Sequence, residues 1–179
     1  MKKKILSFAL VIIFSMLLCS CSGNSPDKMF SVKLPSGEKL ELYMSRDKVE
    51  EIMSSYEYDY NDHSHIYDYG FIKLAYTDGE LSYLYSYGDN GVTFLNGLGF
   101  GSTDYEKYGF QLDGQHAGSI MNYKLVDGKY EQMGLINFSK IDEEYKEYIQ
   151  VYIAIDKATK EIQAISTGDA YAIMGNMDE

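Results

Sequence analysis

The chain has 179 residues, 45% of them hydrophobic, and 27 acidic residues against 16 basic ones give a formal net charge of −11. This acidic balance argues against a nucleic-acid-binding protein, because phosphate contacts need clusters of Lys and Arg. The two cysteines are Cys19 and Cys21, so the remainder of the chain can form neither a disulfide nor a thiolate metal site.

The N-terminal segment has the organisation of a secretory signal peptide. Lys2, Lys3 and Lys4 precede an apolar run over 5–18, which is too short and wrongly flanked for a spanning helix. The sequence Leu18-Cys19-Ser20-Cys21 then resembles a bacterial lipobox, which implies cleavage before Cys21 and lipidation of its thiol. Cleavage before Cys19, an ordinary secretory signal and an N-terminal anchor helix are the alternatives.

Lipidation of Cys21 would place the protein on the extracytoplasmic face of a cell membrane. We therefore divide the chain into a signal peptide (1–20), a lipidated cysteine with a flexible tether (21–30) and one domain (31–179). Removal of residues 1–20 deletes three lysines and no acid, which leaves 13 basic and 27 acidic residues and a net charge of −14. We expect a protein partner that carries a basic patch, and no nucleic acid.

The domain is predicted to begin with a strand over 39–44 and a short helix. Ser45 stands where a helix N-cap is expected, and the apolar residues after it recur at helical spacing. The resulting buried stripe consists of Val49, Ile52, Met53 and Tyr56.

The clearest predicted hairpin turns at Asp78-Gly79, between alternating segments at 71–77 and 80–87. Asp-Gly in this context favours a two-residue turn with positive φ at both positions. The turn pairs Tyr76 with Leu81, and regular pairing beyond it puts one set of side chains on the core-facing side. That set is Ile72, Leu74, Tyr76, Leu81, Tyr83 and Tyr85. The opposite set is Lys73, Thr77, Glu80, Ser82 and Ser86.

A second short helix is predicted where Thr103-Asp104-Tyr105-Glu106 has the form of a capping box and Gly109 can end the helix. Tyr105 and Tyr108 would then face inward.

Two further hairpins are predicted in the second half of the chain. The first joins 120–126 to 129–138 at Asp127-Gly128, and the second joins 148–155 to 161–166. In the latter, Ile149, Val151, Ile153 and Ile155 form a period-2 stripe, with Ile162 and Ala164 as partners. The polar segment 140–147 is predicted to be a loop or a single helical turn.

These elements predict an α+β fold, in which an antiparallel sheet carries two short helices on one face. They also repeat: a strand, a capped helix and a hairpin occupy 39–88, and similar elements occupy 91–168. Placing Val49 on Tyr105 and Ile52 on Tyr108 gives an offset of 56 residues. Two units are too few for a solenoid but suit a tandem duplication that shares one sheet.

Three segments of the chain carry a resemblance to a known fold family. Leu42-x-x-Ser45-x-x-x-Val49-x-x-Ile52, followed by Phe-Ile-Lys-Leu-Ala-Tyr-Thr-Asp-Gly at 71–79, resembles the helix-then-strand unit of β-lactamase inhibitory protein-like domains. Gly-Leu-Gly-Phe-Gly-Ser at 97–102 is similar to the opening of such repeats. Small outer-membrane assembly lipoproteins share the unit. The chain departs from it at Met44, where a Gly is usual, and in a Tyr/His-rich stretch after the first helix. The resemblance implies a concave sheet that binds proteins and is not catalytic.

The Tyr/His-rich stretch is the candidate metal site. On a strand, His63 and His65 would point both imidazoles to one face, and the carboxylates of Asp59, Asp62 and Asp68 could complete a divalent-metal or small-ligand site. A polar loop between helix and sheet would have the same composition.

Tyrosine is unusually abundant, with eighteen residues and no tryptophan. Tyr58, Tyr60, Tyr67 and Tyr69 lie outside the regular hairpin in a polar context and are the candidate partner-binding residues. Tyrosines offer rigid contact area at low entropy cost and are enriched at interfaces, although plain packing is the alternative.

Catalytic motifs are not found in the sequence. There is no Gly-x-Ser-x-Gly elbow, and the glycines at 97–101 do not open a phosphate-binding helix. Adjacent carboxylates at Glu50-Glu51 and Glu143-Glu144 diverge, whereas an acid/base pair must face across a cleft. The sequence therefore predicts a binding module that is not an enzyme and needs no cofactor.

Overall fold

A computed structural model describes residues 26–112, 117–134, 136, 143–175 and 177–178, without the side chains of Glu143 and Glu144. In the first half the strands are β1 (Ser31–Lys33), β2 (Lys39–Glu41), β3 (Asp59–Asn61), β4 (Ile66–Asp68), β5 (Ile72–Thr77), β6 (Glu80–Tyr87) and β7 (Thr93–Phe94). In the second half they are β8 (Gly118–Val126), β9 (Lys129–Met133), β10 (Tyr148–Ile155) and β11 (Ile162–Asp169). Helix α1 is Arg46–Met53 and helix α2 is Ala170–Ile173, and 3-10 turns occupy Pro26–Met29, Tyr105–Tyr108 and Glu143–Glu147.

The strands form two antiparallel sheets. The large sheet has the order β3-β4-β5-β6-β11-β10-β8-β9, and the small one has the order β2-β1-β7. The first four strands of the large sheet follow one another as a meander, whereas β6 pairs with β11 from the end of the chain. Strands far apart in sequence thus meet at the centre of the sheet.

One hydrophobic cluster joins both sheets, helix α1 and the 3-10 turn Tyr105–Tyr108. Val49 and Met53 of α1 are buried in it, as are Tyr105 and the stripe of β10. The large sheet therefore has a covered face, on which the small sheet and α1 pack, and an opposite face that we call the open face. The α+β class predicted from the sequence is confirmed at this level, with mostly antiparallel strands.

The hairpin at Asp78-Gly79 is present, with positive φ at both turn residues and Tyr76 opposite Leu81. The pairing predicted beyond the turn is wrong, because Ser82 is an extra residue with no partner on β5. Its hydroxyl donates to the carbonyl of Ala75 at 3.3 Å and accepts from Thr77 at 3.0 Å. Such a bulge reverses the alternation of the strand.

The bulge changes which side chains of β6 reach the core. Leu84 lies opposite Leu74, and Ser86 lies opposite Ile72, so these residues share the covered face. Tyr83 and Tyr85, expected in the core, instead lie on the open face. Ser82 and Ser86, expected to be exposed, are buried.

The later hairpins follow the predicted pattern with similar local shifts. The turn at Asp127-Gly128 has positive φ, and β9 ends at Met133, before the predicted end. The four isoleucine and valine side chains of the β10 stripe are buried, and Ile162 lies opposite Ile155. A register shift then places Ile165 opposite Ile153, while Ala164 lies opposite Ala154 on the open face.

The helices are shorter and less regularly capped than predicted. Ser45 occupies the N-cap of α1, but its side chain makes no capping hydrogen bond. The second predicted helix is only a 3-10 turn whose N-cap is Asp104, one residue after Thr103, and Gly109 ends it in the left-handed region. The predicted loop or turn at 140–147 contains the 3-10 turn Glu143–Glu147.

The folded domain begins earlier than predicted. Met29 and Phe30, assigned to the flexible tether, are buried in the core. The Phe30 ring packs against Tyr123 of β8 and Tyr130 of β9, with centroid distances of 5.3 and 4.6 Å. Among the described residues, no helix combines the length and apolar character that spanning a membrane requires.

Candidate functional site

The four candidate tyrosines come together at the β3 edge of the large sheet, and we call them the tyrosine edge (Tyr58, Tyr60, Tyr67 and Tyr69). In the pairing of β3 with β4, Tyr60 lies directly opposite Tyr67. Tyr67 in turn lies opposite Leu74, which places these rings on the covered face. The candidate tyrosines therefore lie at the edge of the hydrophobic core.

Two of the four rings are exposed and two are buried. Tyr58 and Tyr60 have 52% and 36% of their surface exposed, whereas Tyr67 and Tyr69 are buried. The Tyr58 ring contacts the rings of Tyr67 and Tyr69 at centroid distances of 5.2 and 5.3 Å, and Tyr60 contacts Tyr67 at 4.7 Å. Only Tyr58 and Tyr60 can present broad ring faces to a partner, and the buried pair supports them.

The single arginine of the chain, Arg46, contacts Tyr67 of this cluster and the neighbouring Tyr76. The Arg46 guanidinium lies 5.0 Å from the Tyr67 ring centroid and 5.2 Å from that of Tyr76, and it donates to the Tyr67 hydroxyl at 2.5 Å. It also donates to Glu50 at 2.8 Å, and this hydrogen bond is the main cause that raises the pKa of Arg46. Guanidinium groups favour such stacking on aromatic faces.

Burial dominates the electrostatics of the supporting ring. Burial, reinforced by the neighbouring Tyr58 and Glu50, raises the pKa of Tyr69 to about 12. The phenol is neutral at physiological pH, as an ordinary tyrosine is, and burial makes its ionisation still less favourable.

The candidate histidines lie in the turn between β3 and β4, which is the polar-loop alternative and not the strand that the metal-site hypothesis assumed. His63 is exposed, and its backbone N–H is held by the side chain of Asn61 at 3.0 Å. His65 has a positive φ, and its Nδ1 lies 3.0 Å from the hydroxyl of Tyr60. Residues two positions apart point to the same face on a strand, and this does not hold for a turn. His116 lies outside the described residues. Within the described part of the chain, no three His, Cys, Asp or Glu side chains come together as a metal ion requires.

The remaining candidates are distributed as follows. Cys21 lies outside the described residues. Glu50 pairs with Arg46, and Glu51 pairs with Lys48 at 2.6 Å, so both carboxylates contact cations on their own helix.

Sequence reasoning missed a second group of tyrosines, on the open face. Tyr83, Tyr85 and Tyr87 come from β6, and Tyr148 and Tyr152 come from β10. The β10 pair was detectable, because both residues alternate with the predicted Ile149–Ile155 stripe. The positions of the β6 residues depend on the bulge at Ser82, which has no sequence signature here.

No family model matches the chain, and no match was found among curated proteins or among solved structures. The resemblance to β-lactamase inhibitory protein-like domains therefore stays a prediction.

Proposed function

We propose that this chain is a lipid-anchored, extracytoplasmic and non-catalytic binding module, which contacts a partner protein through the tyrosine edge. The observation that carries this proposal is the pairing of exposed and buried rings, in which Tyr67 and Tyr69 fix the positions of Tyr58 and Tyr60. Aromatic anchors that are rigid before binding lose little entropy in a complex.

The location of the N-terminal segment supports this assignment. Phe30 packs on β8 and β9, at the opposite margin of the large sheet from β3. At about 4.8 Å per strand spacing, the path along the sheet from the tyrosine edge to that margin is roughly 30 Å. With Cys21 anchored in the membrane, the chain would enter the domain at the β9 side and leave Tyr58 and Tyr60 accessible from the other side.

The charge of the domain defines the partner further. A net charge of −14 after loss of the signal peptide favours a partner surface with basic residues, and binding should weaken as salt is added.

We also propose that the two halves of the domain arose by tandem duplication. The positions related by the 56-residue offset have matching burial: Val49 and Tyr105 are buried, and Ile52 and Tyr108 are partly buried against the same core. As part of this proposal, we infer that the domain has the fold that β-lactamase inhibitory protein-like domains share.

Crosslinking in intact cells of the native host tests the binding assignment. The double variant Tyr58→Ser/Tyr60→Ser is compared with wild type and with Tyr87→Ser, a matched control that removes an exposed tyrosine elsewhere. We expect one protein to be captured by wild type and by the control, and to be lost in the double variant. Equal capture by all three folded proteins, or capture of no protein by wild type, would contradict the proposal.

A further inference from the structure

Strand β3 is the last strand of the large sheet, and in the described part of the chain only β4 pairs with it. Every residue from Glu57 to Asp62 is exposed, so neither sheet nor helix covers this margin. The outer side of β3 is therefore an open sheet edge. Such an edge can pair through its main chain with a strand from another chain.

The residues along this edge alternate between aromatic and acidic side chains. Tyr60 lies opposite Tyr67, and the Tyr58 ring contacts the same Tyr67 ring, so both exposed tyrosines belong to the covered face. Asp59 lies opposite Asp68 and shares the open face with it. Because successive side chains of a strand point to opposite faces, one face of the edge is aromatic and the other is acidic.

Three carboxylates along the edge lack a neutralising cation. Glu57 and Asp59 flank Tyr58, and Asp62 directly follows β3. All three are exposed, and none of them forms an ion pair within the described part of the chain. A bound segment with positive charges would therefore meet negative charge that is not already balanced.

The cations on the adjoining elements are engaged elsewhere. The Lys73 ammonium pairs with Asp68 at 2.9 Å and lies 5.9 Å from the Tyr87 ring centroid. The Arg46 guanidinium pairs with Glu50 at 2.8 Å. These pairs leave the acidic residues of the β3 edge for a partner.

The same charges argue against a second copy of this chain as the added strand. Two β3 edges would bring their carboxylates together, and like charges on paired strands are destabilising. The other edge strand, β9, has Lys129 and Glu131 on the open face, so a copy of β9 would bring a carboxylate as well. Charge complementarity instead selects a foreign strand that is basic on the open-face side.

We propose that the partner of the tyrosine edge contributes an extended segment of alternating basic and apolar residues, which adds to β3 as a further strand of the large sheet. Its Lys or Arg side chains lie beside Asp59 on the open face. Its apolar side chains pack on Tyr58 and Tyr60 on the covered face. This inference rests on the proposed function, because it specifies how the partner engages the same site.

Two capped peptides of equal composition test the alternation. The full chain, in a neutral detergent, is titrated with fluorescently labelled Lys-Val-Lys-Val-Lys-Val-Lys and with Lys-Lys-Val-Val-Val-Lys-Lys. Anisotropy is measured at about pH 8, where histidine charge does not contribute. We expect the alternating peptide to bind at least about tenfold more tightly, because only its side chains match both faces of the edge.

Two methylated forms of the alternating peptide test strand addition itself. One carries N-methyl groups on the main-chain nitrogens of its lysines, and the other carries them on those of its valines. Main-chain N–H groups of successive strand residues point to opposite edges, so only one of the two sets faces β3. We expect one methylated peptide to lose binding and the other to keep it.

Variants of the protein locate the site. Glu57→Gln/Asp59→Asn should weaken binding of the alternating peptide about tenfold, and Tyr58→Ser/Tyr60→Ser should also weaken it. The matched control is Glu106→Gln/Asp127→Asn, which changes the net charge equally at exposed positions outside the β3 edge and should bind like wild type. Thermal unfolding of each variant confirms that it is folded.

Four outcomes would overturn the inference: no binding of the alternating peptide at millimolar concentration, equal binding of the two sequences, equal binding of the two methylated forms, or equal weakening by the control variant. Crosslinking in cells separates this failure from that of the proposed function. A partner that is still captured through Tyr58 and Tyr60 would leave the binding module in place and show that its partner engages the rings without pairing with β3.

Discussion

Asp169 should make the domain more stable at mildly acidic pH than at neutral pH. The residue ends β11, is buried, and accepts a hydrogen bond from the N–H of Ala172 at 2.7 Å as the N-cap of α2. Burial raises the pKa of Asp169 from 3.8 to about 6, against the opposing effects of the Ala172 N–H and the Lys146 ammonium. Asp78 adds to the upward shift.

The raised pKa of Asp169 determines the direction in which the free energy of unfolding changes with pH. Between 3.8 and about 6 the folded protein holds a proton that the unfolded chain has released, so the free energy of unfolding rises as the pH falls through this window. At about pH 5 the contribution of Asp169 relative to pH 7 is ~1.4 kcal/mol, and below the unfolded pKa it approaches ~3 kcal/mol. Carboxylates with lowered pKa values, such as Asp68 and Asp156, lose their stabilising effect only at lower pH.

Urea denaturation of wild type and Asp169→Asn at about pH 5 and pH 7 measures this effect. Wild type should gain ~1 kcal/mol more on acidification than the variant, because contributions from histidines and from net charge are common to both. Asp104→Asn is the matched control, since that exposed carboxyl has a lowered pKa and should leave the difference unchanged. Identical pH responses of wild type and Asp169→Asn would refute the reasoning.

Three further predictions concern stability and are measured by the same denaturation assay. The hydroxyl of Tyr76 is buried without a hydrogen-bond partner among the described residues, so Tyr76→Phe should leave stability unchanged or raise it by up to ~1 kcal/mol; a loss above that amount would contradict this view. Gly168→Ala should cost about 1–3 kcal/mol, because its Cβ would lie 2.9 Å from the backbone oxygen of Ser82, whereas Gly134→Ala meets open space and should be nearly neutral. Ile153→Ala at the centre of the buried β10 stripe should cost about 2–5 kcal/mol, and a smaller loss would mean that the core refills the cavity.

The parts of the fold that could be predicted from the sequence are those encoded locally. Asp78-Gly79 and Asp127-Gly128 adopt positive φ because a two-residue hairpin turn requires it and these residue types tolerate it, and each turn fixes the register of the residues next to it. The stripe of β10 is equally local, since its alternation matches the period of a strand.

The bulge at Ser82 could not be predicted, because its cause is not local. Regular pairing would place Tyr83 and Tyr85 in the core and Leu84 outside. The structure instead buries Leu84 in the main cluster, and the small Ser82 side chain fits inside with its hydroxyl bonded to Ala75. The choice depends on the packing of distant elements against β6, including the pairing of β6 with β11.

The candidate site was predicted in composition but not in geometry. The pattern located the aromatic segment at 58–69, yet it could not separate the exposed Tyr58 and Tyr60 from the buried Tyr67 and Tyr69, because β3 and β4 are only three residues long. Strands of this length are too short to show an alternation of apolar and polar residues in the sequence. For the same reason the sequence left open whether His63 and His65 lie on a strand or in a polar loop, and the structure places them in the turn between β3 and β4.

Arg46 explains how the tyrosine edge can be rigid although β3 and β4 are each only three residues long. A cation in the first turn of a helix is unfavourable with respect to the helix dipole, so its position needs compensation. Glu50, the Tyr67 hydroxyl and the faces of Tyr67 and Tyr76 supply it. These contacts connect α1 to Tyr67, in the central part of the tyrosine edge. The Tyr67 ring in turn contacts the rings of Tyr58 and Tyr60 and so restricts their positions. A lysine at this position would keep the charge but lose the planar group that engages a carboxylate, a hydroxyl and two rings at once. The exposed tyrosines are thus held by the helix and the core as well as by the two short strands that carry them.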